Sequence, residues 1–397
     1  MKTYRHICIL LLLAAFAAVS CVYDFHPQID GEGGYLVVEG NIVIGDISQI
    51  QLKYSWSFVD SLNETNERLL RESSIMHIED DRGGRYDNYV EPGYYYSGVT
   101  RFDMRNADPS LQYRLVIENQ QGTYVSAWAS PLSPGQIDSL SYRINNEGTL
   151  MSIQVATHSD DPQGSYYRWS VEETWEYHAD VQAFFKYVEE EGRGQLLPLE
   201  EKESLYFCWL NSRRPEIMTG STHGLKEDRL AEYQLYTITN SDERLSVLYR
   251  ADVRQMRIPE EAYRYWQVME RNSNDVGGLF SPEPSELRGN VTCVERPEEL
   301  VLGYVGVMSV TTGRLEINNY DARFYRQPYV SLPPPDTLNS PADWRNAIMT
   351  GLAPVRDLWN EETGRLIGYE WLPVRCVDCR FKGGTKNRPA DWPNNDY

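Results

Sequence analysis

Past its first twenty residues the chain has no apolar run long enough to cross a bilayer as a helix, which takes about 20 consecutive apolar residues. Positive charge is scarce as well: 38 Lys and Arg stand against 58 Asp and Glu, a formal charge of -20. Such an excess repels phosphate backbones and anionic headgroups, so nucleic acid is not expected as a partner. Histidine is sparse. No two of His26, His77, His158, His178 and His223 fall within ten residues of each other, so no metal site is expected. The chain also lacks G-x-S-x-G, H-E-x-x-H, the phosphate-cradling G-x-x-x-x-G-K-[ST] and the alternating acids of a calcium loop. Neither a cofactor nor a catalytic residue has a local signature, and a noncatalytic protein is the expectation.

What is present begins with "MKTYRHICILLLLAAFAAVSC". Lys2 and Arg5 precede thirteen apolar residues, Ile7 to Val19, and Ser20 precedes Cys21. The run is too short for an ordinary spanning helix and has the flanks of a secretory signal. "AVSC" resembles the bacterial lipobox, in which the cysteine becomes an acylated N-terminus. Residues 1–20 are therefore expected to be a lipoprotein signal peptide, Cys21 the lipid attachment site, and residues 21–34 a Pro-, Gly- and acid-containing tether. Without residues 1–20 the charge is -22.

Cys8 leaves with the signal, and Cys208, Cys293, Cys376 and Cys379 remain. The C-terminal "CVDCRFKGGTKNRPADW" allows half a zinc site, a redox dithiol or a structural clamp. An exported chain with an even number of thiols favours disulfides, for which three pairings exist. Pairing of Cys376 and Cys379 across to Cys208 and Cys293 would tie the tail, residues 376–397, to the body, burying Phe381 and Trp392.

The fold class reads as mainly β. "YLVVEGNIVI", "QIQLKYSWSFV", "SSIMHIED", "YYYSGVTRF", "QYRLVIENQ" and "GTYVSAWAS" are rich in Val, Ile, Tyr and Trp, and a turn at Gly83 and Gly84 predicts a hairpin. These runs predict a β-sandwich over residues 35–130. "SPLSPGQ" marks a boundary, and residues 137–375 read as a larger β-rich domain with two or three helices. The clearest helix is "RIPEEAYRYWQVMERN", with Ala262, Tyr265, Trp266 and Met269 on one face. "SPADWRNAIMTG" predicts another, capped by Ser340 and stopped by Gly351. Val181 to Val188 also has helical spacing.

Candidate chemistry is thin. A carboxylate pair such as Glu172 with Asp160 can be proposed for glycoside hydrolysis, yet that reaction depends on spacing in three dimensions. Asp160 and Asp161 in "SDDPQG" suit a solvated turn. With 28 Tyr and 10 Trp, the chain can offer aromatic platforms to a glycan or peptide, and Tyr94, Tyr95 and Tyr96 are the candidate ligand-binding residues.

The lipobox, "YLVVEGNI", "GGLFSPEPSELRGNVTC" followed by "VLGYVGV", and the ending "CVDCRFKGGTKNRPADW" together resemble the Bacteroidota lipoprotein family catalogued as domain of unknown function 4249. The resemblance implies an N-terminal prealbumin-type or immunoglobulin-like sandwich. It also implies an outer-membrane lipoprotein, facing the exterior, that works with a TonB-dependent transporter in nutrient capture or uptake. A surface hydrolase of glycans or peptides, or an adhesin or assembly factor, is the alternative. "DSL" at Asp60 and Asp138 and "DTL" at Asp336 resemble the O-glycosylation acceptor of the same bacteria, which would place sugars on Ser61, Ser139 and Thr337.

Overall fold

The structure, a computed structural model, describes residues 35–55, 73–89, 99–274, 288–326 and 332–393. The chain opens with seven strands: β1 (Tyr35–Ile44), β2 (Ile47–Ser55), β3 (Ile75–Asp80), β4 (Arg85–Tyr89), β5 (Val99–Asp103), β6 (Tyr113–Asn119) and β7 (Gly122–Ser126). Alternation drives them, since Leu36 and Val38 of β1 and Ile50 and Leu52 of β2 all turn into one core. The hairpin expected at Gly83 and Gly84 joins β3 to β4. There the Asp80 carboxylate accepts from the backbone N–H groups of Arg82 and Gly84, at 2.9 and 2.7 Å. Because β4 pairs with β3 on one side and β5 on the other, the layers expected of a sandwich form one continuous sheet.

The second region supplies β8 (Gln136–Ile144), β9 (Leu150–His158), β10 (Tyr166–His178), β11 (Phe185–Glu190), β12 (Arg193–Pro198), β13 (Phe207–Arg213), β14 (Met218–Ser221), β15 (Arg229–Thr239) and β16 (Leu248–Ile258). Strands β15, β9 and β8 make one sheet, while β10 is flanked by β13, β14 and β16 in another. The two sheets share a core in which Met151, Ile153 and Val155 of β9 join Tyr167, Trp169 and Val171 of β10. Full burial of a side chain such as Val171 contributes about 2 kcal/mol. The helical spacing at Val181 to Val188 is overruled: β11 and β12 form a hairpin there. Glu191 and Gly192 both take positive φ, 52° and 78°, as a tight two-residue turn requires.

Helix α1 (Glu260–Asn274) follows, and the chain then returns to the first sheet. β17 (Val291–Cys293) pairs with β7, and β18 (Val305–Ser309) pairs in parallel with β1. The expected boundaries at 35–130 and 137–375 are thus corrected, because the first unit is completed by a segment far along the chain. The nine strands run in the order β17-β7-β6-β3-β4-β5-β2-β1-β18 and curl into a nearly closed barrel. Asn290 joins the two free edges. Its side-chain amide donates to the Val305 carbonyl and accepts from the Val305 N–H, both at 2.8 Å, while its own carbonyl accepts from Ala127 at 2.9 Å.

The remaining elements are β19 (Thr311–Asn318), which returns to β16, α2 (Asn319–Ala322), β20 (Asp336–Leu338), α3 (Pro341–Met349), β21 (Leu352–Trp359), β22 (Leu366–Pro373) and α4 (Val374–Val377). Helix α3 is the one expected: Ser340 accepts from the Asp343 N–H, Pro341 occupies the first turn, and Gly351 follows at φ 82°. Val355 and Leu372 of the small β20-β22-β21 sheet pack with Val377 against Val181 and Ala183.

The tail then crosses the second unit as a strap. The Tyr177 hydroxyl donates to the Cys379 carbonyl and accepts from the Gly384 N–H, Thr385 and Trp209 exchange backbone hydrogen bonds, and the buried Trp392 donates to Glu176. Phe381, expected to be buried, is exposed instead, because the strap turns its flank outward. Among the described residues no helix is long and apolar enough to cross a membrane.

Candidate functional site at the junction of the two units

Alternation along β10 builds the site. Tyr167, Trp169 and Val171 enter the core of the second unit, so Arg168, Ser170 and Glu172 occupy the opposite face. In a free-standing sandwich that face meets water. Here β1, β2 and α1 rise over it and leave a cleft of about 430 Å³. The α1 face legible in the sequence is the wall of this cleft: Ala262 and Tyr265 are buried and Trp266 and Met269 partly so, packed with Val43, Met256, Tyr304 and Met308. Arg254 of β16 reaches Asp46, in the turn between β1 and β2, at 2.6 Å and ties the units together beside the cleft.

Arg168 sets the electrostatics. Its guanidinium lies 3.8 Å from the centre of the Trp266 ring. Among the described residues no carboxylate or hydrogen-bond acceptor meets it, and its Nε is closed off from solvent. Burial, and then the nearby Arg213, bring its pKa down to about 10. The side chain as a whole is only half-buried, so its charge is partly solvated and rests on the Trp266 stack rather than on an ion pair. In the same wall the Asn41 Oδ1 is buried with no donor. Burial raises the phenol of Tyr265, with Glu39 adding to the effect, and raises Tyr304 to about 12, with Glu261 adding, so both hydroxyls stay protonated.

Glu173, the next residue after the cleft-lining Glu172, shows how this fold treats a structural buried charge. Its carboxylate accepts from Arg214 at 2.7 Å, Tyr249 at 2.5 Å and Arg244 at 2.8 Å, leaving nothing unsatisfied. Arg168 has no such arrangement. A cation of this kind within an acidic chain is suited to meeting something from outside.

The other candidate residues fall elsewhere. Cys21 and Tyr94, Tyr95 and Tyr96 lie outside the described residues. Cys208 and Cys379 form a disulfide, whereas Cys293 and Cys376 are free, which corrects the expectation that all four pair. The reason is spatial: Cys293 is buried in the first unit's core and Cys376 in the small cluster under β21 and β22, while Cys208 and Cys379 share the second core. Burial, with Asp180 nearby, raises the Cys376 thiol. Glu172 lines the cleft, but Asp160 sits outside it, in the turn before β10. Its neighbour Asp161 accepts from the Gln163 N–H and pairs with Arg257. Among the described residues no three His, Cys, Asp or Glu side chains gather as metal ligands. Ser139 and Thr337 are exposed on strands, and Ser61 is outside the described residues.

Sequence reasoning did not single out Arg168, Trp266 or Asn41 as a group. The available signal was an arginine amid aromatics on β10 facing the apolar stripe of α1. No curated protein matches the chain. The family model described as Domain of unknown function (DUF4249) matches residues 22–314, a span that includes both barrel edges, α1 and the cleft but stops before the strap. The chain belongs to this family of unknown function.

Proposed function

We propose that this chain is a noncatalytic, lipid-anchored protein of the outer-membrane surface that captures a small ligand in the junctional cleft and works with a TonB-dependent transporter in its uptake. The observation that carries the reading is the cleft, whose wall holds a cation, Arg168, with no carboxylate partner among the described residues. A concave site with an unpaired charged group on its wall is suited to a ligand that pairs it. The N-terminal signal, Cys21 and the tether of residues 21–34 support export and anchoring.

Two experiments test this. Cys21→Ala is expected to move the protein from the membrane to the soluble fraction, as measured by fractionation and immunoblotting. Retention of the variant in the membrane would contradict the anchor. A pull-down in mild detergent through a C-terminal tag is expected to recover a large outer-membrane barrel. Recovery of the chain alone, with cleavage of a surface polymer by the purified protein, would replace this reading with that of a hydrolase.

A further inference from the structure

We propose that the cleft binds a small organic monocarboxylate, its acid group on the Arg168 guanidinium. The inference deepens the ligand-capture reading and rests on it. An anion is indicated because Arg168 lines the cleft, half-buried and stacked on Trp266, yet has no carboxylate partner among the described residues, in a chain with 58 acidic side chains to choose from. The lowered pKa still leaves the group fully charged at neutral pH.

A single negative charge is indicated because, with Arg254 taken by Asp46 and Glu39 by Lys53, the walls carry Arg168 and Arg213 against Glu172. A dianion such as a phosphate monoester would leave a negative charge beside Glu172 with no cation to offset it. The planar guanidinium fork also matches a planar carboxylate with two parallel hydrogen bonds. One face of the guanidinium is covered by Trp266 and its Nε is closed off from solvent, so the acid meets the Nη edge. Tyr265, Trp266 and Met256 leave an apolar surface for the ligand's body. Two sources share this chemistry: the C-terminal end of a short peptide and an acidic sugar.

The test is calorimetric titration of the full chain, extracted in mild detergent, with N-acetyl-phenylalanylglycine and with galacturonic acid, each run beside its neutral amide or methyl ester. At least one acid is expected to bind, with its neutral counterpart about tenfold weaker or more, the loss typical of one charged hydrogen-bonded contact. The acid that binds identifies the source. Arg168→Gln is expected to abolish the preference for the acid, and Lys202→Gln, on an exposed surface, to leave it intact. Without ligand, Arg168→Gln is expected to melt at the same temperature as the parent or higher, because a partnerless charge has been removed. Equal binding of acid and neutral forms, no binding of either acid, an unchanged preference in Arg168→Gln, or a marked drop in its ligand-free melting temperature would each overturn the proposal. The pull-down reads the transporter partnership separately, so either idea can fail while the other stands.

Discussion

Gly303→Ala is expected to destabilise the first unit by on the order of 4 kcal/mol, seen as a lower midpoint in urea unfolding followed by tyrosine and tryptophan fluorescence. Gly303 stands at φ 93°, and a Cβ there would lie 2.1 Å from the Val38 carbonyl oxygen. That side chain would push the segment before β18 off β1, which it joins through the Val37–Leu302 bridge. A Cβ on Gly289 would instead stand 1.6 Å from the Gly303 carbonyl oxygen and push the two barrel edges apart where Asn290 bridges them. Gly351→Ala separates the causes. It has a similar φ, 82°, with nothing within 4 Å of the added carbon, so only backbone strain of about 1 kcal/mol is expected. Equal costs at the two positions would mean that the segment before β18 is not held against β1 by backbone contact.

Loss of the Cys208–Cys379 disulfide is expected to be the other large effect. The bond closes a loop with a sequence separation of 171 residues, for which the chain-entropy model gives about 5 kcal/mol, with smaller values often measured. Cys208→Ser should lower the midpoint of the second unit and make the strap the first site of limited proteolysis. Without the disulfide a polar, Gly-containing segment is held by hydrogen bonds, by the partly exposed ion pairs of Lys382 with Glu243 and Asp391 with Arg314, and by Trp392 as its anchor. Cys376→Ser and Cys293→Ser should leave the strap protected, since neither cysteine is in a disulfide. Mass spectrometry of the nonreduced, alkylated chain should find two modified thiols at these positions and a crosslinked Cys208 peptide. Release of the strap by Cys376→Ser instead would assign the bond to the other cysteine of the pair.

The elements whose signals are local were legible in the sequence. Helix α1 was marked by Pro259, its two acids and the Ala262, Tyr265, Trp266, Met269 stripe, and α3 by its Ser340 cap. The Gly83 turn was equally plain. What the sequence concealed is nonlocal. Nothing near Val291 or Val305 says that these short strands pair with β7 and β1, more than 150 residues earlier. Asn290 reads as an ordinary turn residue until its amide is seen spanning the seam. The choice of Cys379 over Cys376 depends on which core each cysteine enters, a matter of two or three residues of helical turn in α4. Val181 to Val188 misled because a hairpin lying on another sheet buries residues irregularly, and irregular burial can imitate a helical period.

The candidate site was half legible. The Arg168, Ser170, Glu172 row was predictable as the polar face of β10, and the α1 stripe as an apolar face. Neither predicts that the two would be set opposite each other by the return of the chain to the first unit. Ligand expectations placed on Tyr94, Tyr95 and Tyr96 followed aromatic content alone, whereas the cleft combines aromatics with an unpaired cation.

The most direct measurement of the central claim, that the junctional cleft receives an acidic ligand, is a crystal structure of the chain soaked with whichever acid binds in titration. The account predicts electron density in the cleft with the carboxylate at hydrogen-bond distance from the Arg168 guanidinium. Density for the acid at another surface, with Arg168 still stacked on Trp266 and the cleft holding only water, would contradict it.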